Sequence, residues 1–189
     1  MLQHATTHAT GAAPCAAGRA GAPGDAWYAV WTQSHFEHAV HGHLAGKGLH
    51  VFLPTVGVWT RRRGARRVAE RPVFPGYLFV RDAMDRETHL AIRRTPGVVR
   101  LLGERWDRLS SIPDEEMQAI RQVVGGRQRI FPFPYLREGQ RARVATGPLA
   151  GLEGVLAESR EQQGLLVLSL HLLQRSIAVT VDGANVVPA

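Results

Sequence analysis

Six arginines, Arg61, Arg62, Arg63, Arg66, Arg67 and Arg71, crowd one short stretch that has Gly64 at its bend and only Glu70 in opposition. Guanidinium groups held so close repel one another, and contact with phosphate relieves that repulsion. The chemistry open to them is backbone binding of DNA or RNA, mostly without sequence preference; the plain alternative is a solvated charged loop. His35, His38, His41 and His43 form a second cluster, in which an i, i+3 pair could approach one metal ion. Zinc needs three or four placed ligands, and Glu37 is the one carboxylate nearby, so no metal site is expected and a solvated helix face with some DNA contact is preferred. Asp114, Glu115 and Glu116 are explained by the positive end of a helix dipole rather than by acid–base work. No P-loop, G-x-G-x-x-G, G-x-S-x-G or H-E-x-x-H is present. The expectation is therefore no catalytic residue, no cofactor and no enzymatic activity.

The remaining chemistry is apolar. In Phe74-Pro75-Gly76-Tyr77-Leu78-Phe79-Val80 a Pro-Gly turn delivers a strand whose alternation places Tyr77 and Phe79 on one face and Leu78 and Val80 on the other. The aliphatic face suits packing on helices. The aromatic face needs a second layer or a partner. At this point a core with both faces sealed stays open.

The elements that must position these groups follow from composition and periodicity. The chain of 189 residues has a formal net charge of +7, a pI near 10.9 and one lysine, Lys47. An arginine-dominated balance points to nucleic acid or an acidic partner, and no basic amphipathic helix suggests a membrane. One cysteine, Cys15, excludes an intramolecular disulfide and fits a reducing cytoplasm. No secretory leader is expected, no run reaches the roughly twenty apolar residues of a membrane span, and a monomer is expected. Residues 1–25 are small and polar and predict a disordered tail. Trp27 to Thr32 predicts a strand, and Ser34 with Glu37 has the spacing of a capping box before a helix carrying Phe36, Ala39, Val40 and Leu44. Strands follow at 49–53, 55–60 and 76–80, a helix over 85–93, and a strand at 98–102. Pro113 then opens a stronger helix whose buried stripe is Met117, Ile120 and Val124. These make an α+β unit, a mostly antiparallel sheet with helices, over residues 26–124. Residues 125–136 read as a linker. Beyond 137 only short strands are predicted, at 141–145, 154–158, 164–171 and 176–181, the spacing of a small barrel.

Taken in order, Trp27-Tyr28-Ala29-Val30, the segment from Phe74 to Val80, Thr95-Pro96-Gly97-Val98 and the glycine-rich Gly147-Pro148-Leu149-Ala150-Gly151-Leu152-Glu153-Gly154 resemble the NusG family. The resemblance implies an NGN domain over 26–124 and a small all-β, SH3-like KOW barrel over 137–189. It also implies a factor for transcription elongation or antitermination. The NGN domain would grip the clamp helices of the largest RNA polymerase subunit through a patch including Trp31, Tyr77 and Phe79. Thr88, His89 and Leu90 align with the segment that faces the gate loop in RfaH-like members; an ordinary helix turn is the alternative. Gly147, Pro148, Leu149, Gly151 and Gly154 would form the KOW turn, and the barrel would recruit RNA or a protein partner.

The chain departs from housekeeping members at two places. Leu149 stands where they carry Phe in Gly-Pro-Phe, and Leu173-Gln174-Arg175 stands where they carry Phe-Gly-Arg. Loss of both rings argues against coupling to Rho or to the ribosomal protein NusE. The pattern resembles specialised paralogues of the UpxY, LoaP and RfaH type, hence antitermination over termination. The leucine-rich run 165–173 would suit a helix as well as a strand by periodicity alone. Val179-Thr180-Val181 and the glycine turns favour the barrel. The runner-up reading is a KOW-type RNA- or ribosome-associated module that never engages polymerase.

Overall fold

In chain order the elements are β1 (Ala26–Thr32), α1 (Glu37–Gly46), β2 (His50–Phe52), β3 (Thr55–Arg62), β4 (Ala65–Pro72), β5 (Tyr77–Asp82), α2 (Arg86–Arg93), β6 (Val98–Leu101), β7 (Gly103–Arg105), β8 (Arg108–Leu109), β9 (Ser111–Ile112) and α3 (Asp114–Gly125). Then come β10 (Ile130–Phe133), β11 (Gln140–Val144), β12 (Glu153–Arg160), β13 (Gln163–Leu170), β14 (Arg175–Asp182) and β15 (Val186–Pro188). The structure, a computed structural model, describes residues 24–62, 65–126, 130–133, 140–160, 163–170, 172–182 and 185–189. Of the tail expected over 1–25, residues 1–23 lie outside the described residues.

The first unit is an antiparallel sheet in the order β2-β5-β1-β6, with β9 also pairing β1. Strand β1 is central because it is apolar on both faces. Val30 joins Val40 and Leu44 of α1, Ile92 of α2, and Leu78, Val80, Met84 and Leu101 in one core. Trp27 and Ala29, on the other face, join Phe79, Ile112 and the α3 residues Met117, Ile120 and Val123. The stripe of α3 thus runs through Val123, with Val124 only partly buried beside it. The α+β architecture expected from the sequence is present, with helices on both faces of the sheet.

The capping box expected at Ser34 and Glu37 is not what starts α1. The helix begins at Glu37, its N-cap is Phe36, and no side chain caps it. Glu37 is instead buried, and its Oε1 accepts a 2.8 Å bond from the Gly76 amide 39 residues along the chain. A long-range donor wins over the local one because the Gly76 N–H would otherwise be left without a partner. Asp85 does cap α2, its carboxylate accepting from the Thr88 amide at 2.7 Å, and these bonds hold its pKa below the usual carboxylate value. Lys47 donates to Ala91 O and Thr95 Oγ1, both at 2.7 Å, tying the end of α1 to the end of α2. The one lysine of the chain is therefore a brace between the two helices.

The second unit is all β, a six-stranded antiparallel sheet in the order β10-β14-β13-β12-β11-β15. The leucine-rich run is strand β13 as far as Leu170, with Leu166 to Leu168 and Leu170 buried, and Leu172 and Leu173 lie in the turn that follows. Residues 130–133, read as linker from the sequence, are instead strand β10, paired with β14 from Ile130↔Val179 to Phe133↔Ser176. Pro132 is tolerated because β10 is an edge strand with no second ladder to donate to. A ladder position at Gly154 explains one glycine: a Cβ there would lie 2.7 Å from the Val167 carbonyl oxygen. The two units meet at α3, where Gln122 Nε2 donates to Ala150 O at 3.2 Å.

Candidate functional site

The end of the sheet where β1 leaves and β5 enters is held by three bonds. Besides Glu37 to Gly76, the Thr32 amide donates to Gly76 O and the Gln33 amide to Gly97 O, each at 2.8 Å. Gly76 and Gly97 adopt φ of 84° and 88°, a region that glycine enters without strain. A Cβ on Gly97 would come within 2.9 Å of both Phe36 and Val40. The two Pro-Gly turns therefore seat Phe36 and Trp31 at one rim.

Of the three patch residues expected from the sequence, the structure exposes one and withdraws another. Trp31 is 39% exposed, with the Arg100 guanidinium 5.5 Å from its ring centroid. Its register partner Tyr77 is partly buried. Phe79 is 0% exposed, with Phe74 edge-on at 5.9 Å and Phe52 at 6.4 Å, in the cluster that includes α3. Phe79 thus has no surface to offer a partner in this conformation: α3 supplies the second layer over that part of the aromatic face. Phe36, 44% exposed and missed as a patch residue, stands at the same rim, and Val99, between Val98 and Arg100 on β6, is 43% exposed. Nothing in the sequence marked Phe36, because the capping-box spacing placed it inside the helix and its position at the N-cap is set by the fold. Among the described residues, those of the second unit leave Trp31 and Phe36 uncovered.

The arginine stretch is a β-hairpin. Strands β3 and β4 pair from Thr55↔Pro72 to Arg62↔Ala65, with Arg61 opposite Arg66, Thr60 opposite Arg67 and Val56 opposite Arg71. Arg63 and Gly64 lie outside the described residues. The hairpin forms its own two-stranded sheet, apart from the main one. Arg67 and Arg71 are exposed, and so is Val68 at 57%. The fold thus places arginine along both limbs of a projecting ribbon rather than in a loop.

Thr88, His89 and Leu90 lie on α2; Leu90 is 42% exposed, and burial, with Arg93 second, lowers the His89 pKa. Among the histidines on or near α1, burial and then His38 lower the pKa of His41. Among the described residues no group of three or more His, Cys, Asp or Glu could hold a metal ion. A further basic group was not anticipated: Arg121 of α3 lies 4.6 Å from the Trp27 ring and 5.2 Å from Phe52 and contacts His50 Nε2 at 3.2 Å. Burial first, then Arg121 and Arg81, lowers the His50 pKa.

In the second unit Gly147 and Gly151 adopt φ of 90° and 86° around the turn, and the Gly151 amide returns to Val144 O at 2.8 Å. Pro148 is exposed, but Leu149 is 3% exposed and belongs to the core. Leu173 is 8% exposed, while Gln174 is exposed at φ 48°. A left-handed non-glycine residue costs about 1–2 kcal/mol, and glycine returns about 0.5–1 of that as backbone entropy. Gln174→Gly is expected to stabilise the chain by roughly 0.5–1 kcal/mol, read as a higher urea midpoint at unchanged m-value. A lower midpoint would show that the Gln174 side chain holds the turn.

Residues 25–121 match the family described as "NusG: Transcription termination factor nusG". Similar proteins include the transcription termination/antitermination protein NusG of Yersinia pestis and of Escherichia coli K12. Each is 33% identical over 177 residues, covering 87% of this chain and 97% of the relative. The fold is similar to a solved structure described as "Domain interaction in Thermotoga maritima NusG", at TM-score 0.57 and 21% identity, covering 86% of this chain and 96% of that one. Among the described residues no helix is long and apolar enough to cross a membrane.

Proposed function

The chain belongs to the NusG family, and on that premise we propose that it is an elongation and antitermination factor that docks on RNA polymerase through the rim around Trp31. The occupant of that rim is the pair of clamp helices of the largest subunit. The observation that carries the reading is the exposed aromatic edge at Trp31 and Phe36, fixed by Glu37, Gly76 and Gly97 and left open by the described residues. An indole held in water by a rigid scaffold is the kind of group on which interface energy concentrates. Tyr77 contributes from behind, and Leu90 on α2 is the apolar contact for the gate loop. The test is co-purification of the tagged chain with core polymerase at moderate salt. A chain that leaves the polymerase behind but retains RNA or ribosomes would move the reading to a KOW-type binding module.

The β3–β4 ribbon contacts DNA or RNA backbone. Changing Arg61, Arg62, Arg66, Arg67 and Arg71 to Gln is expected to reduce the slope of log K against log salt by about one for each phosphate that is no longer neutralised. An unchanged slope would leave the ribbon a solvated surface.

The KOW unit recruits RNA or a protein partner, in the manner of specialised UpxY, LoaP or RfaH paralogues rather than through Rho or NusE. Support comes from the turn itself. Leu149 and Leu173 are withdrawn into the barrel core, and the exposed tip residues Pro148, Gln174 and Arg175 present no aromatic ring.

A further inference from the structure

We propose that the β7–β8 hairpin is a contact for single-stranded nucleic acid, with the Trp106 indole stacking on a base and Arg105 and Arg108 meeting the flanking phosphates. The hairpin was not foreseen from the sequence, and neither polymerase docking nor the β3–β4 ribbon depends on it. Its base is fixed to the sheet: the Leu102 amide donates to Ala29 O at 2.9 Å and the Ser110 amide to Leu102 O at 3.1 Å. Its limbs cross at backbone contact. A Cβ on Gly103, whose φ is 142°, would lie 2.6 Å from Leu109 Cα and 2.7 Å from Arg108 O. Such a crossing leaves no room for the limbs to splay, so the tip projects from a firm base.

At that tip Trp106 is 42% exposed and belongs to neither hydrophobic core, and among the described residues no ring or guanidinium packs on it. Arg105 and Arg108 are register partners, so both cations flank the turn that carries the indole. Asp107 pairs with Arg105 at 3.2 Å, and the Arg105 side chain remains 68% exposed in that pair. Glu104, Arg105, Asp107 and Arg108 surround the indole with charge rather than with apolar surface. The centre of a protein interface is depleted in charge, whereas an aromatic face beside cations is how single strands are held without sequence readout. The indole is open to a base that has left its duplex and closed to one that is stacked inside it, so single strands are the class of ligand.

The test uses the full chain and a short fluorescein-labelled oligothymidylate, set against a duplex of equal length, at low salt. Trp106→Ala is expected to weaken single-strand binding about ten-fold or more, and Trp106→Phe about three-fold or less because a ring is kept. Duplex affinity should hold in both. Trp106 is outside the cores, so an unchanged circular dichroism spectrum is expected to accompany the loss. Equal affinity of Trp106→Ala and the parent for the oligothymidylate would overturn the proposal. So would an equal loss for single strand and duplex, or a variant that keeps the oligonucleotide and loses only core polymerase, which would make the tip a protein contact. The β3–β4 arginine variant run in parallel separates the sites, since its effect falls on duplex and single strand alike.

Discussion

Phe79→Ala is expected to destabilise the first unit by about 3–5 kcal/mol, the range for deleting a fully buried ring. Phe79 has no exposed surface, two neighbouring rings within 6.4 Å and α3 in the same core cluster. Removing it leaves a cavity that β5 cannot close, because the strand is tied to β1 on one side and β2 on the other. Against a typical total of about 5–15 kcal/mol the loss would bring the unit near its threshold at growth temperature. Urea denaturation followed by tryptophan fluorescence measures it. A cost below about 1 kcal/mol would mean that the ring is not packed as the structure has it. One consequence is practical: loss of polymerase binding by a Phe79 variant would report unfolding, so the site must be probed elsewhere.

Trp31→Ala combined with Tyr77→Ala is expected to weaken binding to core polymerase by two orders of magnitude or more, since anchor residues at interfaces cost about 2 kcal/mol or more each when truncated. Trp31 separates binding from stability most cleanly. It is 39% exposed, and its removal forfeits a contact with Arg100 worth about 0.5–1 kcal/mol. Tyr77 is partly buried and costs more stability, so Trp31→Ala alone serves as the folded control. Fluorescence-detected titration of labelled polymerase reads the change. Affinity within about two-fold of the parent for the folded double variant would remove the rim from the interface.

Much of this was legible in the residues, and most of the places that were not turn on contacts between elements far apart in sequence. The alternation of β5 showed two faces, and both exist: Leu78 and Val80 pack with α1 and α2, Phe79 with α3. What alternation cannot show is how far a helix about forty residues downstream reaches across the face, and that reach decides that Phe79 is sealed while Trp31 is not. Glu37 fits a local capping box by spacing, yet its partner is Gly76, which only the folded sheet brings near. Pro132 reads as a linker signal because proline is excluded from central strands; on the outer edge of β10 the exclusion does not apply. The short β7–β8 hairpin has too few residues for any period to register. The barrel strands were legible because each alternates or runs apolar between glycine turns, and Gly154 marks a ladder position where even a methyl group would meet the Val167 carbonyl.

The most direct measurement places a photoreactive phenylalanine derivative at Trp31 in the full chain, mixes it with core RNA polymerase and irradiates. If the rim is the docking surface, a cross-linked product forms with the largest subunit, and peptide mapping puts the attachment within its clamp helices. Cross-linking that misses that subunit altogether, from a chain shown to be bound, would contradict the assignment of this rim.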